Sequence, residues 1–211
     1  GLREDLNYLR NLSMERLIEE GITNGETKMS MNGAVMVDTG IYTGRSPNDK
    51  FFVEEDYSKD NLWWGPVNRP VKDEVFKELL DKVLDYYNSD TGVKTYIFDG
   101  YGGDDPDYSL PIRIVARKAW QAHFSNNMFI RPSTDDLKNF DPEFTIINAS
   151  DISNEDFSKH GMNSETFIIF NLKKKIAIIG GTEYGGEMKE GIFSVLHYLL
   201  PLKNILSMHC S

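Results

Sequence analysis

The chain has 211 residues, 40% of them hydrophobic and 12% aromatic, so it can bury a proper core and is not a disordered chain. With 33 Asp and Glu against 23 Lys and Arg its net charge is −10, which argues against a nucleic-acid partner because phosphate binding needs clustered cations. The absence of an apolar run approaching the ~20 residues of a membrane span, the lack of a signal-like start and the single Cys210 predict a soluble protein in a reducing cytoplasm, with no membrane partner.

Taken in order, Ser13 followed by Met14 to Glu20 predicts a capped helix stopped by Gly21. Lys28 to Met31, the turn Asn32-Gly33 and Ala34 to Val37 predict a hairpin. It leads into Asp38 to Val53, reading DTGIYTGRSPNDKFFV, where Gly40, Gly44 and Pro47 punctuate a turn before the strand Phe51 to Val53. Arg45 in that turn offers the fork that grips a carboxylate or phosphate through paired hydrogen bonds. Two readings stay open at this point, an anion site and a tight hairpin whose Arg45 pairs with a surface carboxylate. A nucleotide phosphate loop fits less well. The stretch Gly40 to Ser46 is one residue short of G-x-x-x-x-G-K-[ST], has Arg for Lys, and runs into Pro47 rather than opening a helix.

Trp63-Trp64-Gly65-Pro66 reads as a turn giving hydrophobic cover to a sheet. From Pro70 the period becomes helical, with Phe76, Leu79, Leu80, Val83, Leu84 and Tyr87 on one stripe. Lys94 to Phe98 predicts a strand ending at Asp99-Gly100, and Asp104, Asp105 and Asp107 a solvated turn, since the ligand alternation of a calcium loop is missing. Ile112 to Val115 predicts a strand and Lys118 to Asn126 a helix, while His123, His160 and His197 read as packed or surface histidines. Phe144 to Asn148, Thr166 to Leu172 and Lys175 to Ile179 are further strands, the last two joined by a basic hairpin. The final strand empties into the glycine-rich Gly180 to Gly186, followed by a helix with Met188, Ile192, Val195, Leu196 and Leu199 on one face. This order aims backbone N–H groups at an anion, or is simply a helix start with Glu187 favouring the dipole. Pro201 should end that helix, and Asn204 to His209 reads as a last strand. The fold class is mixed α/β, a mixed sheet flanked by helices in one domain over residues 1–211.

Four strings carry a resemblance. Asp38 to Lys50, Asn127-Met128-Phe129-Ile130-Arg131-Pro132, Gly180 to Lys189, and Tyr198 to Lys203 running into Ser207-Met208-His209-Cys210-Ser211 fall in the order of the signatures of ATP-dependent phosphoenolpyruvate carboxykinase, so the chain resembles the amino-terminal, substrate-binding domain of that family. The resemblance implies decarboxylation of oxaloacetate and phosphorylation of the enolate from ATP, in gluconeogenesis. It implies that Arg45 holds the organic-acid carboxylate, Tyr184 lines that pocket, Lys189 lies by the transferring group and His209 is a manganese ligand. The family has a second lysine where this chain has Glu190, which could replace it as an oxygen ligand. Mn²⁺ and Mg²⁺ would act with ATP in the full enzyme. No cofactor is expected to bind tightly to this chain alone, because the family's phosphate loop and nucleotide-binding domain are not in it. The alternative is a non-catalytic relative binding a dicarboxylate or phosphoenolpyruvate. Arg45, Tyr184 and Lys189 are expected to converge on one shallow, positively charged pocket.

Overall fold

A computed structural model describes residues 1–208. Eight strands form one mixed sheet: β1 (Asn7–Arg10), β4 (Lys50–Val53), β5 (Arg69–Val71), β6 (Lys94–Gly102), β7 (Leu110–Ala116), β8 (Phe144–Ala149), β9 (Phe167–Asn171) and β10 (Ile176–Gly180). Their order is β1-β6-β7-β8-β10-β9-β4-β5, antiparallel at β6/β7 and β9/β10 and parallel elsewhere. A separate two-stranded ribbon joins β2 (Thr27–Met29) to β3 (Val35–Val37), as the Asn32-Gly33 turn predicts. The helices are α1 (Met14–Thr23), α2 (Asp73–Asn88), α3 (Ala119–Met128) and α4 (Gly186–Leu202). None of the described helices is long and apolar enough to cross a membrane.

The strand alternation sends neighbours to opposite layers. Phe52, Ile168, Phe170 and Ile179 pack with Met188, Ile192 and Val195 of α4, whereas Phe51, Ile169 and Ile178 pack with Phe76, Leu79 and Val83 of α2. Both faces of the central strands are therefore dry, which is why β9 is buried at every position. The helical stripe of α2 is found as expected, with Phe76, Leu79, Val83 and Tyr87 buried and Leu80 and Leu84 partly so.

Several boundaries differ from expectation. Ser13 caps α1 through a hydrogen bond from the Arg16 N–H, but the helix passes through Gly21 and ends at Asn24. Gly21 is there for close packing: a Cβ on it would stand 3.0 Å from Thr27 Oγ1 of β2. Pro70 belongs to β5, at the edge of the sheet where a missing N–H costs nothing, and the helix starts only at Asp73. Strand β6 continues past Asp99-Gly100, since its ladder with β7 extends to Gly102 opposite Leu110. The Asp99 side chain that should have stopped it is fully buried and held by Arg10 and Arg113. Strand β1 has no counterpart in the sequence reading. Helix α4 includes Pro201 in its last turn, and residues 204–208 are not a strand. Asn204 takes a left-handed conformation (φ 59°) and the Ile205 N–H returns to the Leu200 carbonyl at 3.0 Å, so the chain turns back instead of extending.

Candidate active site

The loop from Asp38 to Asp49 is built from the inside out. Asp38 Oδ1 accepts from the Gly40 N–H at 2.9 Å and the Thr39 hydroxyl donates to the Tyr42 carbonyl at 2.7 Å, with Gly40 at φ 65° closing the first turn. The Thr166 hydroxyl donates to the Gly181 carbonyl at 3.0 Å, so its proton is taken and Tyr42, 2.8 Å away, donates to it. That chain of bonds ties the loop to the start of β9 and the end of β10. Residues Pro47–Asp49 make one 3-10 turn and lead directly into β4, so no helix opens after the loop and the phosphate-loop reading falls. Asp49 is buried, accepting from Asn163 Nδ2 at 3.0 Å, Ser164 Oγ at 2.8 Å and the Ser46 hydroxyl. The Ser46 N–H donates to Glu187 Oε1 at 2.6 Å, which clamps the loop to the first turn of α4.

Between these anchors Arg45 projects with 56% of its side chain exposed, and its Nη1 stands 3.7 Å from Glu190 Oε2. Glu190 Oε1 lies 3.0 Å from the ammonium of Lys189. Consecutive residues on a helix diverge, so this contact depends on the Lys189 stem folding back over its neighbour. Glu190 is 21% exposed and faces the Arg45 loop rather than open solvent. A cleft of about 590 Å³ opens here, lined by Arg45, Lys50 and Trp63 and by Glu190, His197 and Tyr198 of α4. A smaller one of about 250 Å³ continues under Arg45 and Lys50 to Glu187.

Arg45 and Lys189 are thus brought together at Glu190. Lys189 itself lines neither cleft, and nor does Tyr184. Tyr184 sits on the bend before α4, its N–H on Thr182 Oγ1 at 3.2 Å and its ring so close over Gly186 that a Cβ there would lie 2.4 Å from Tyr184 Cε1. His209 lies outside the described residues. The expected sheet cover at Trp63-Trp64 divides: Trp64 packs against the α4 layer, while Trp63 is 71% exposed on the rim of the cleft. Glu187, read from sequence as favourable to a helix dipole, is a buried clamp. Lys50, given no role in the sequence reading, faces both clefts; its place at the end of the Asp38 to Lys50 string was the available signal.

Burial raises the pKa of Glu187, with the Ser46 N–H and the charges of Arg45 and Lys50 pulling the other way. Burial lowers that of Lys50, and Arg45 adds to the effect while Glu187 and Glu190 oppose it. Two cations, Arg45 and Lys50, thus face Glu190 in the larger cleft and Glu187 and Glu190 in the smaller, while Lys189 meets the site only through Glu190. An excess of positive charge at a water-accessible opening can hold a small anion.

The family model of phosphoenolpyruvate carboxykinase matches residues 6–211. The chain belongs to the phosphoenolpyruvate carboxykinase family. It is 54% identical to the phosphoenolpyruvate carboxykinase (ATP) of Leptospira biflexa over 95% of its own length and 37% of that protein. It is 48% identical to the enzyme of that name from Campylobacter lari and 46% to that of Sulfurimonas denitrificans, in both over 100% of its own length. It covers 40% and 39% of those two proteins. This carboxykinase chain thus spans about two fifths of the length of these relatives.

Proposed function

We propose that this chain is the organic-acid-binding part of an ATP-dependent phosphoenolpyruvate carboxykinase. In that reaction the bond between the leaving carboxylate and its carbon breaks to give carbon dioxide. The electron pair becomes the enolate, whose oxygen takes the γ-phosphoryl of ATP with release of ADP. The observation that carries the proposal is the loop-borne Arg45, clamped through Ser46 and Asp49, on a cleft it shares with Lys50. A guanidinium fixed in this way can hold a carboxylate in one orientation, and phosphoryl transfer depends above all on positioning and electrostatics. Lys189 would steady the charge that develops on the transferring group.

Among the described residues no three His, Cys, Asp or Glu side chains form a metal-holding group, and Glu190 is within reach of both Arg45 and Lys189. The described residues alone do not fit a divalent ion. Manganese and magnesium therefore enter this proposal as groups of the whole enzyme, with His209 and Glu190 as candidate ligands and with ATP held elsewhere. A cytoplasmic setting accompanies this reading.

The test is phosphoenolpyruvate formation from oxaloacetate and ATP by the whole protein, compared with Arg45→Gln. The variant should raise the KM for oxaloacetate at least tenfold; an unchanged KM would refute the role of Arg45. A second reading, a non-catalytic binder of dicarboxylates or phosphoenolpyruvate, draws support from Glu190, whose negative charge offsets the cations. Binding of oxaloacetate without turnover would favour it.

A further inference from the structure

We propose that Lys50 is a second carboxylate-binding residue, so that Arg45 and Lys50 together select a short dicarboxylate over a monocarboxylate. The proposal deepens the anion-binding reading of the cleft and rests on it. Lys50 opens β4, and the period of the strand sends it to the same side as Phe52, toward α4. There its ammonium reaches Ser194 Oγ at 3.5 Å and lies 5.6 Å from the centre of the Phe52 ring. No carboxylate of the described residues pairs with it within salt-bridge distance, although Glu187 and Glu190 share its clefts. A half-buried ammonium held only by one long hydroxyl contact and an aromatic face has given up water without gaining an anion.

The surroundings say what would complete it. Arg45 lines the same two clefts, so a ligand gripped there by the guanidinium has Lys50 as its next cation. The two differ in what they offer: a planar fork fixes one carboxylate, and a compact ammonium accepts a second from several directions. The opening of about 590 Å³ has room for a four-carbon diacid. Glu190 in the same cleft opposes further negative charge, which favours a dianion over a more highly charged ligand.

Succinate and butyrate, alike in length but differing by one carboxylate, are the probes, titrated calorimetrically into the whole protein at constant ionic strength. Succinate should bind the unaltered protein at least tenfold more tightly than butyrate. Lys50→Met should abolish that preference and leave butyrate binding within twofold, and Lys50→Arg should keep the preference, showing that charge rather than packing is responsible. If Lys50→Met retains the preference while Arg45→Gln loses succinate binding, Lys50 has no such role and the anion site stands without it. If succinate fails to bind the unaltered protein, or Arg45→Gln binds it equally well, the anion-binding reading fails and this proposal with it. Should Lys50→Met not fold, Lys50→Gln takes its place under the same criteria.

Discussion

The main-chain N–H of Ser46 donates to the carboxylate of Glu187 at 2.6 Å, joining two segments 141 residues apart in sequence. This bond holds the residue next to Arg45 against the helix that carries Lys189 and Glu190. Two signature stretches far apart in sequence thereby become neighbours in the fold.

The buried Glu187 should leave a signature in stability against pH. Its folded-state pKa is raised by burial, so the folded protein holds a proton there that the unfolded chain, near the usual value of about 4.3, has released. Its contribution is full below the unfolded pKa and is lost as pH rises through the folded one. Glu187→Gln keeps an acceptor for Ser46 and cannot ionise. Relative to the parent it should gain stability as pH rises from about 4 toward neutrality, read as the difference in urea midpoints at successive pH values. A difference independent of pH would refute this.

Asp99 should matter far more than a surface carboxylate. It is fully buried, with Arg10 Nε at 2.5 Å, Arg113 Nε at 2.7 Å and Arg113 Nη2 at 2.8 Å, bridging β1, β6 and β7. Asp99→Ala leaves two guanidinium groups without their anion and should cost about 3–5 kcal/mol, measured by urea unfolding. The exposed pair Arg3 and Asp5 is the control, and Asp5→Ala should leave the urea midpoint nearly unchanged.

Glu190 should limit turnover in the proposed reaction. It engages Arg45 and Lys189 and places a negative charge where carboxylate and phosphate groups gather on the proposed reaction. In the whole protein, Glu190→Lys is expected to raise turnover by on the order of a hundredfold, comparable to the effect of one preorganised electrostatic group. Steady-state kinetics with oxaloacetate and ATP provide the measurement, and turnover unchanged within a few-fold would refute this role of Glu190.

Two glycines of the signature stretches should respond oppositely. A Cβ on Gly180 would stand 2.3 Å from Phe167 Cζ and 2.6 Å from the Ile152 carbonyl oxygen, whereas one on Gly44 meets nothing within 4 Å. Gly180→Ala should destabilise by about 3 kcal/mol or fail to fold, as overpacking against backbone does. Gly44→Ala should stay within about 0.5 kcal/mol. Thermal melts of both variants decide it.

Periodicity was enough for the elements that bury a stripe or alternate in a sheet. The helix of Phe76, Leu79, Val83 and Tyr87, the β2–β3 hairpin and the paired strands β9 and β10 follow from local patterns that no tertiary contact contradicts. The signature strings identified the family, and Arg45 and Lys189 do meet around Glu190. Tertiary structure decided the rest wherever a long-range partner outweighed a local preference. Gly21 stays helical because Thr27 packs on it, and Asp99 lies inside a strand because two arginines from its neighbours neutralise it. Proline is tolerated in β5 because that strand is an edge. Tyr184 sits over Gly186 rather than in either cleft, whereas Lys50, on the same side of β4 as Phe52, lines both. Residue types and spacing determined the family to which this chain belongs. Burial and contacts between segments more than a hundred residues apart, as between Ser46 and Glu187, decided which side chains share the site, because local propensities of a few tenths of a kcal/mol yield to buried bonds and charge pairs of several times that size.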